Sequence, residues 1–208
     1  MKTAAIVPAY NEEQTISGVV RTLLRSPKID EVVVVSDGSE DRTALRARRC
    51  GVKVVELHEN VGKGGALKTG VDAVTADILL FIDADLLGLT QNHICQLLGP
   101  ILDGTADMTV GVFEEGRLAT DLAQKIAPFL SGQRAVKREL FSSIPEVEHS
   151  RYGVEMALSR YADKQDLPVT VVNLKDLSQI MKEEKQGFAR GLWSRVKMYW
   201  DILRTVKL

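Results

Sequence analysis

Asp83-Ala84-Asp85 follows directly on the apolar run Ile78-Leu79-Leu80-Phe81-Ile82, so two carboxylates emerge where a buried strand would enter a loop. In an open α/β sheet, ligands bind outside the carboxyl ends of the strands. Hard carboxylate oxygens placed there suit a divalent cation on a phosphorylated substrate such as a nucleoside diphosphate. The plainer alternative is a helix cap followed by a solvated acid.

Three earlier turns carry comparable chemistry. In Pro8-Ala9-Tyr10-Asn11-Glu12-Glu13, Pro8 is expected to stop the first strand, and Asn11 or Glu12 to cap a helix whose free amides face a ligand. In Ser36-Asp37-Gly38-Ser39-Glu40-Asp41-Arg42-Thr43, Gly38 permits a tight turn that leaves Asp37 free to accept hydrogen bonds from a base or ribose, while Asp41 reads as the helix cap. The glycines of Glu59-Asn60-Val61-Gly62-Lys63-Gly64-Gly65-Ala66 allow backbone to approach a ligand, and Lys63 at a helix start could meet phosphate or base oxygens. No Ser or Thr follows Lys63, which excludes a P-loop, and the first turn lacks the Gly-x-Gly-x-x-Gly of a dinucleotide fold.

The elements that must position these turns follow from periodicity. Strands are expected at Ala4 to Pro8, Glu31 to Ser36, Val52 to Leu57, Asp77 to Ile82 and Met108 to Val112, and helices at Glu13 to Arg25, Arg42 to Cys50, Gly64 to Val74 and Asn92 to Leu102. Such alternation specifies a doubly wound, mostly parallel α/β sheet flanked by helices. Beyond Gly111 the alternation breaks. Helices are expected around Ala119 to Leu130, Arg138 to Ser142 and Gly153 to Ala162, then a strand at Val169 to Asp176 and a C-terminal amphipathic helix from Gln186 to Val206. No linker or repeat divides the chain, so one domain is expected over 1–208, with a nucleotide-binding half to 112 and an acceptor-binding half from 113.

With 27 basic and 28 acidic residues among 208, the chain has no global charge bias toward nucleic acid. Cys50 and Cys95 lack metal-like spacing and read as reduced core residues; His93 reads as a helix-surface residue. No apolar run approaches the ~18 residues of a membrane span, and a cytoplasmic protein is expected. Tryptophans 193 and 200 beside Arg190, Arg195, Lys197 and Arg204 suit core or dimer packing, or peripheral contact with an anionic membrane at its inner face.

Taken in order, Pro-Ala-Tyr-Asn-Glu-Glu, Ser-Asp-Gly-Ser-x-Asp-x-Thr, Asn-x-Gly-Lys-Gly-x-Ala and Asp-Ala-Asp resemble the motifs of family 2 glycosyltransferases with the GT-A fold, over roughly Thr3 to Asp85. The resemblance implies a donor site for a nucleotide-diphosphate sugar formed by Pro8, Ala9, Tyr10, Glu12, Asp37, Lys63, Asp83 and Ala84. Within it, Ala9 and Glu12 would lie against the nucleoside and Asp37 on the base edge. Lys63 would stand near the base or diphosphate, and Asp83 would accept from ribose or amide groups. Asp85 would bind Mg²⁺ or Mn²⁺, with a catalytic part shared by Asp85 and Glu155. Such a cation neutralises charge growing on a diphosphate leaving group without proton transfer.

Downstream, Ser131 to Leu140 and Tyr152-Gly153-Val154-Glu155 look like the acceptor region of glucosyl-3-phosphoglycerate synthases and polyprenyl-phosphate sugar transferases. By that likeness Arg117, Thr120, Arg134 and Tyr152 would contact a small phosphorylated acceptor or a lipid phosphate; alternatively these arginines merely solvate a helix. The resembling proteins carry a metal-ligating His where this chain has Gln179 in Ser178-Gln179-Ile180-Met181-Lys182-Glu183-Glu184-Lys185, which makes Gln179 a weaker, neutral candidate ligand. A nucleotidyltransferase is a rival, although it would want a basic glycine-rich loop after the first strand. A non-catalytic nucleotide-sugar-binding protein is another.

Overall fold

The computed structural model describes residues 1–113, 131–144 and 153–179. By internal contacts the chain divides into Met1–Ser178 and Gln179–Leu208, and Gln179 is the described residue of the second unit. The expected helices at 119–130 and 186–206, with the tryptophans of the latter, lie outside the described residues.

The first unit is a mixed sheet between helices. Its strands are β1 (Thr3–Ala9), β2 (Glu31–Asp37), β3 (Lys53–Leu57), β4 (Ile78–Phe81), β6 (Met108–Phe113), β7 (Arg134–Lys137) and β8 (Val169–Leu174); the two-residue β5 (Leu86–Leu87) stands apart from them. The sheet order is β3-β2-β1-β4-β7-β6-β8, and β7 alone among these seven runs antiparallel to its neighbours. Helices α1 (Ile16–Leu24), α2 (Thr43–Arg48), α3 (Gly62–Asp72), α4 (Gln91–Leu102), α5 (Arg138–Ser142) and α6 (Val154–Lys164) connect them.

Alternation along the strands builds two apolar layers. Ala5, Val7, Val32, Val34, Ile78 and Leu80 face α1 and α4, whereas Ala4, Ile6, Val33, Val35, Leu79 and Phe81 face α3, α5 and α6. Both faces of the central strands are therefore buried, which is why they read as unbroken apolar runs. Arg138 ties the second layer together by donating from Nη2 to Val74 O at 2.9 Å and from Nη1 to Val71 O at 3.3 Å, at the carboxyl end of α3.

Several local expectations change. Pro8 does not stop β1: it pairs in register with Val35, and the strand runs on to Ala9. The proline is tolerated because β4 ends its pairing at Ile6↔Phe81, leaving no neighbour on that side to need its missing N–H. Helix α1 starts at Ile16 rather than Glu13, because the chain first turns through Asn11 at φ 57° and the Glu12 carbonyl takes the N–H groups of Thr15 and Ile16. Neither Asn11 nor Glu12 caps it; the Asn11 side chain instead accepts from Glu40 N at 2.9 Å.

Strand β7 has no counterpart among the expected strands; its residues lie in the stretch that resembles an acceptor region. His93, expected on the surface, is 4% exposed: its Nδ1 accepts from Thr90 N in a capping box, and Nε2 lies 2.8 Å from Lys175 O. The cysteines are free as expected; Cys50 is half-buried and packs against the core, whereas Cys95, expected in the core, is exposed. Among the described residues no helix is long and apolar enough to cross a membrane.

Candidate active site

The motif turns converge because β1, β2 and β4 are parallel neighbours, so all three end on one edge. At the β2 tip, Gly38 adopts φ +66° and a Cβ there would lie 2.7 Å from Asn60 N, so this turn packs directly on the loop before α3. Asp37, 4% exposed, completes that contact. Its Oδ1 accepts from Val61 N at 2.8 Å and its Oδ2 from Gly62 N at 3.0 Å, supplying the cap that the glycine-rich start of α3 lacks locally. The carboxylate expected to wait for a base is thus already holding α3, and through it Lys63. Its oxygens retain lone pairs for a ligand.

Lys63, second residue of α3, reaches across the edge to two acids. Its Nζ lies 2.6 Å from Asp83 Oδ1 and 2.7 Å from Glu155 Oε1, with Glu155 in the first turn of α6. Burial alone would pull the ammonium down, but the charges and hydrogen bonds of Asp83 and Glu155 outweigh it and hold Lys63 above its ordinary value. Lys63 is therefore a fixed cation in a carboxylate cage.

Sequence reasoning missed the residue that fixes Asp83. Gln133 is fully buried; its Oε1 accepts from Asp83 N at 3.0 Å and its Nε2 donates to Asp83 Oδ2 at 2.8 Å. A neutral amide 50 positions downstream gives no periodic or motif signal of this pairing, although it stands between Gly132 and Arg134 in a stretch already singled out. Gly132 belongs to the same corner: a Cβ there would collide with Lys63 Nζ and both carboxylate oxygens of Asp83.

Arg134 is a buried member of the same corner. It is 1% exposed, and donates from Nε to Ser131 O at 2.8 Å and from Nη1 to Ser159 Oγ at 2.8 Å. Burial lowers its pKa to about 10 against the pull of Glu155, leaving it charged at neutral pH. As placed, it braces the 131–134 turn and sets a positive charge against that of Glu155.

The tips of β1 and β2 are joined by a second acid. Ala9 is buried beside β2, opposite Ser36, while Tyr10 is 46% exposed. Asp41 joins the first two turns: it accepts from Glu13 N at 3.0 Å and Thr43 N at 2.9 Å, with the Thr43 hydroxyl also donating. Burial would raise its pKa, and these hydrogen bonds outweigh that to hold it below the usual carboxylate value.

Ala84 is buried between the two aspartates, and Asp85 is half-buried two residues beyond Asp83. Among the described residues no three His, Cys, Asp or Glu side chains converge as a ready metal cage. The acids at the tip of β4, Asp83 and Asp85, nevertheless supply oxygen only, the ligand type that a hard cation takes. Arg117, Thr120 and Tyr152 lie outside the described residues. Gln179 begins the second unit, and its metal-ligand role rests on sequence alone.

The sequence profile of glycosyl transferase family 2 matches residues 4–167. The chain belongs to this family. It is 32% identical over 189 residues to the glucosyl-3-phosphoglycerate synthase of Mycolicibacterium smegmatis, a match covering 74% of this chain and 62% of that protein. It is 41% identical over 101 residues to the dolichyl-phosphate beta-glucosyltransferase of Drosophila melanogaster, covering 41% and 31% respectively. The crystal structure of glucosyl-3-phosphoglycerate synthase from Mycobacterium tuberculosis with Mn²⁺, UDP-glucose and phosphoglyceric acid superposes with a TM-score of 0.74 at 31% identity, over 86% of this chain and 71% of that one. The GT-A architecture expected from the four family 2 motifs is the architecture found.

Proposed function

We propose that this chain is a metal-dependent glycosyltransferase that moves a sugar from a nucleotide-diphosphate donor to a small phosphorylated acceptor. The observation that carries the reading is the Asp83–Lys63–Glu155 cluster, fixed at the tip of β4 in a chain of glycosyl transferase family 2. A small acceptor is favoured over a lipid phosphate because the glucosyl-3-phosphoglycerate synthase match extends over 74% of the chain, against 41% for the dolichyl-phosphate enzyme.

In this reading the nucleoside lies along the tips of β1 and β2, against Pro8, Ala9, Tyr10 and Glu12, with Asp37 below. Asp83 and Ala84 meet the ribose and diphosphate. Asp85 holds Mg²⁺ or Mn²⁺, which when bound offsets the negative charge developing on the departing nucleoside diphosphate. Lys63, already charged and caged, adds a second fixed cation that needs no reorganisation during transfer. Glu155 accepts a hydrogen bond from a hydroxyl of the sugar or acceptor, and Arg134 supplies a fixed positive charge close to it. The acceptor phosphate is met from the 113–152 segment, where Arg117, Thr120 and Tyr152 are the candidates.

Incubating the chain with UDP-glucose, Mn²⁺ and 3-phosphoglycerate, with chromatographic detection of glycosylated product and free UDP, tests the reading. Extension to other sugar nucleotides and to polyprenyl phosphate tests its specificity. Metal-independent donor binding without any transfer or hydrolysis would favour the non-catalytic alternative.

A further inference from the structure

A second charged feature lies on the α1 side of the sheet, away from Lys63. Helices α1 and α2 pack side by side. An open groove there is lined by Ser17 and Arg21 of α1 and by Arg42, Leu45, Arg46 and Arg49 along α2. Arg42, Arg46 and Arg49 recur at helical spacing and so present along one side of α2, and Arg21 faces them from α1. Guanidinium groups stay protonated, and like charges at this spacing oppose one another.

Little within the described residues offsets this charge. The stretch from Arg42 to Arg49 holds four arginines and no acid. Arg46 has Glu13 at 3.9 Å, and Arg48 pairs with Glu56 outside the groove. The whole chain carries a formal charge of −1, so the groove is a local excess and not a sample of a basic protein. Arg21, Arg42 and Arg49 are exposed and Leu45 is 45% exposed, so burial gives no packing reason for the arrangement. Mixed signs are what an unengaged surface ordinarily carries. Converging arginines, each able to grip phosphate through two N–H groups, match a polyphosphorylated ligand in charge and geometry.

We infer that the groove between α1 and α2 is a phosphate-binding site, distinct from the strand-tip cluster, for a ligand presenting two or more phosphate charges. That chemistry has two sources, a soluble polyphosphate and the headgroups of an anionic bilayer, and the test separates them.

The full chain in EDTA is titrated calorimetrically with tripolyphosphate, and in parallel floated with vesicles of phosphatidylcholine containing phosphatidylglycerol. Wild type is compared with R21E/R49E, the milder R21Q/R49Q and D85N, after thermal melts confirm folding. Saturable binding weakened at least tenfold by R21E/R49E, less by R21Q/R49Q and not by D85N is expected. Heat from tripolyphosphate alone assigns the soluble source, and flotation alone assigns the bilayer. Absence of wild-type binding to both probes overturns the inference. So does binding that R21E/R49E leaves within twofold, or that D85N alone alters, since the latter would put the anion at the donor site. Because the α1–α2 site does not depend on the donor reading, either can fail without the other.

Discussion

Gln133 holds Asp83 by both its backbone and its side chain: the amide oxygen accepts from the Asp83 N–H at 3.0 Å and the amide nitrogen donates to Oδ2 at 2.8 Å. Asp83 Oδ1 is left for Lys63, so one buried side chain divides the work of the carboxylate between a neutral donor and a cation. Gln133→Leu strands a buried N–H and a carboxylate oxygen. It is expected to cost about 2 kcal/mol in urea unfolding and to raise the donor KM more than it lowers kcat. Unchanged KM with lost stability would restrict Gln133 to folding.

Lys63→Met removes the ammonium that Asp83 and Glu155 share in a partly buried corner. A loss of about 3 kcal/mol is expected. Adding Glu155→Gln should restore part of it, because the double variant has one fewer uncompensated charge. Additive losses in a double-mutant cycle would mean that the two residues do not act as a pair.

Gly132→Ala tests the close approach at the same corner. The new methyl group would meet the Lys63 ammonium and the Asp83 carboxylate, so a change with modest intrinsic cost elsewhere should lower donor affinity at least tenfold while the sheet remains folded. Wild-type affinity in this variant would show that the corner has slack.

Asp41→Asn addresses the junction between the first two motif turns. The folded pKa of Asp41 is depressed, so its contribution is present above the ordinary aspartate value of about 4 and is lost as pH falls through the folded value. Wild type should exceed D41N by about 1–2 kcal/mol near pH 7, with the gap closing under acid. A gap independent of pH would contradict the assignment.

The legibility of this site divides along physical lines. Strands β1, β2 and β4 are buried on both faces, so their composition alone marks them, and the polar turns at their tips had to cluster once the sheet was parallel. Strand β7 escaped because Arg134-Ala135-Val136-Lys137 is four residues long with a cation at each end, and only tertiary pairing with β4 and β6 makes it a strand. Gln133 and the capping action of Asp37 are long-range hydrogen bonds between residues with no shared periodicity. His93 reads as a surface residue by spacing, yet the capping box at Thr90 and the Lys175 carbonyl draw it inside.

The central claim, that the β4 tip holds a metal-bound sugar nucleotide through Asp85, is tested most directly by calorimetric titration of UDP-glucose into wild type and D85N, each with and without Mn²⁺. The account predicts at least tenfold tighter binding by wild type when Mn²⁺ is present, and no such gain in D85N. Equal affinity with and without Mn²⁺ in wild type, or a full Mn²⁺ gain retained by D85N, would contradict it.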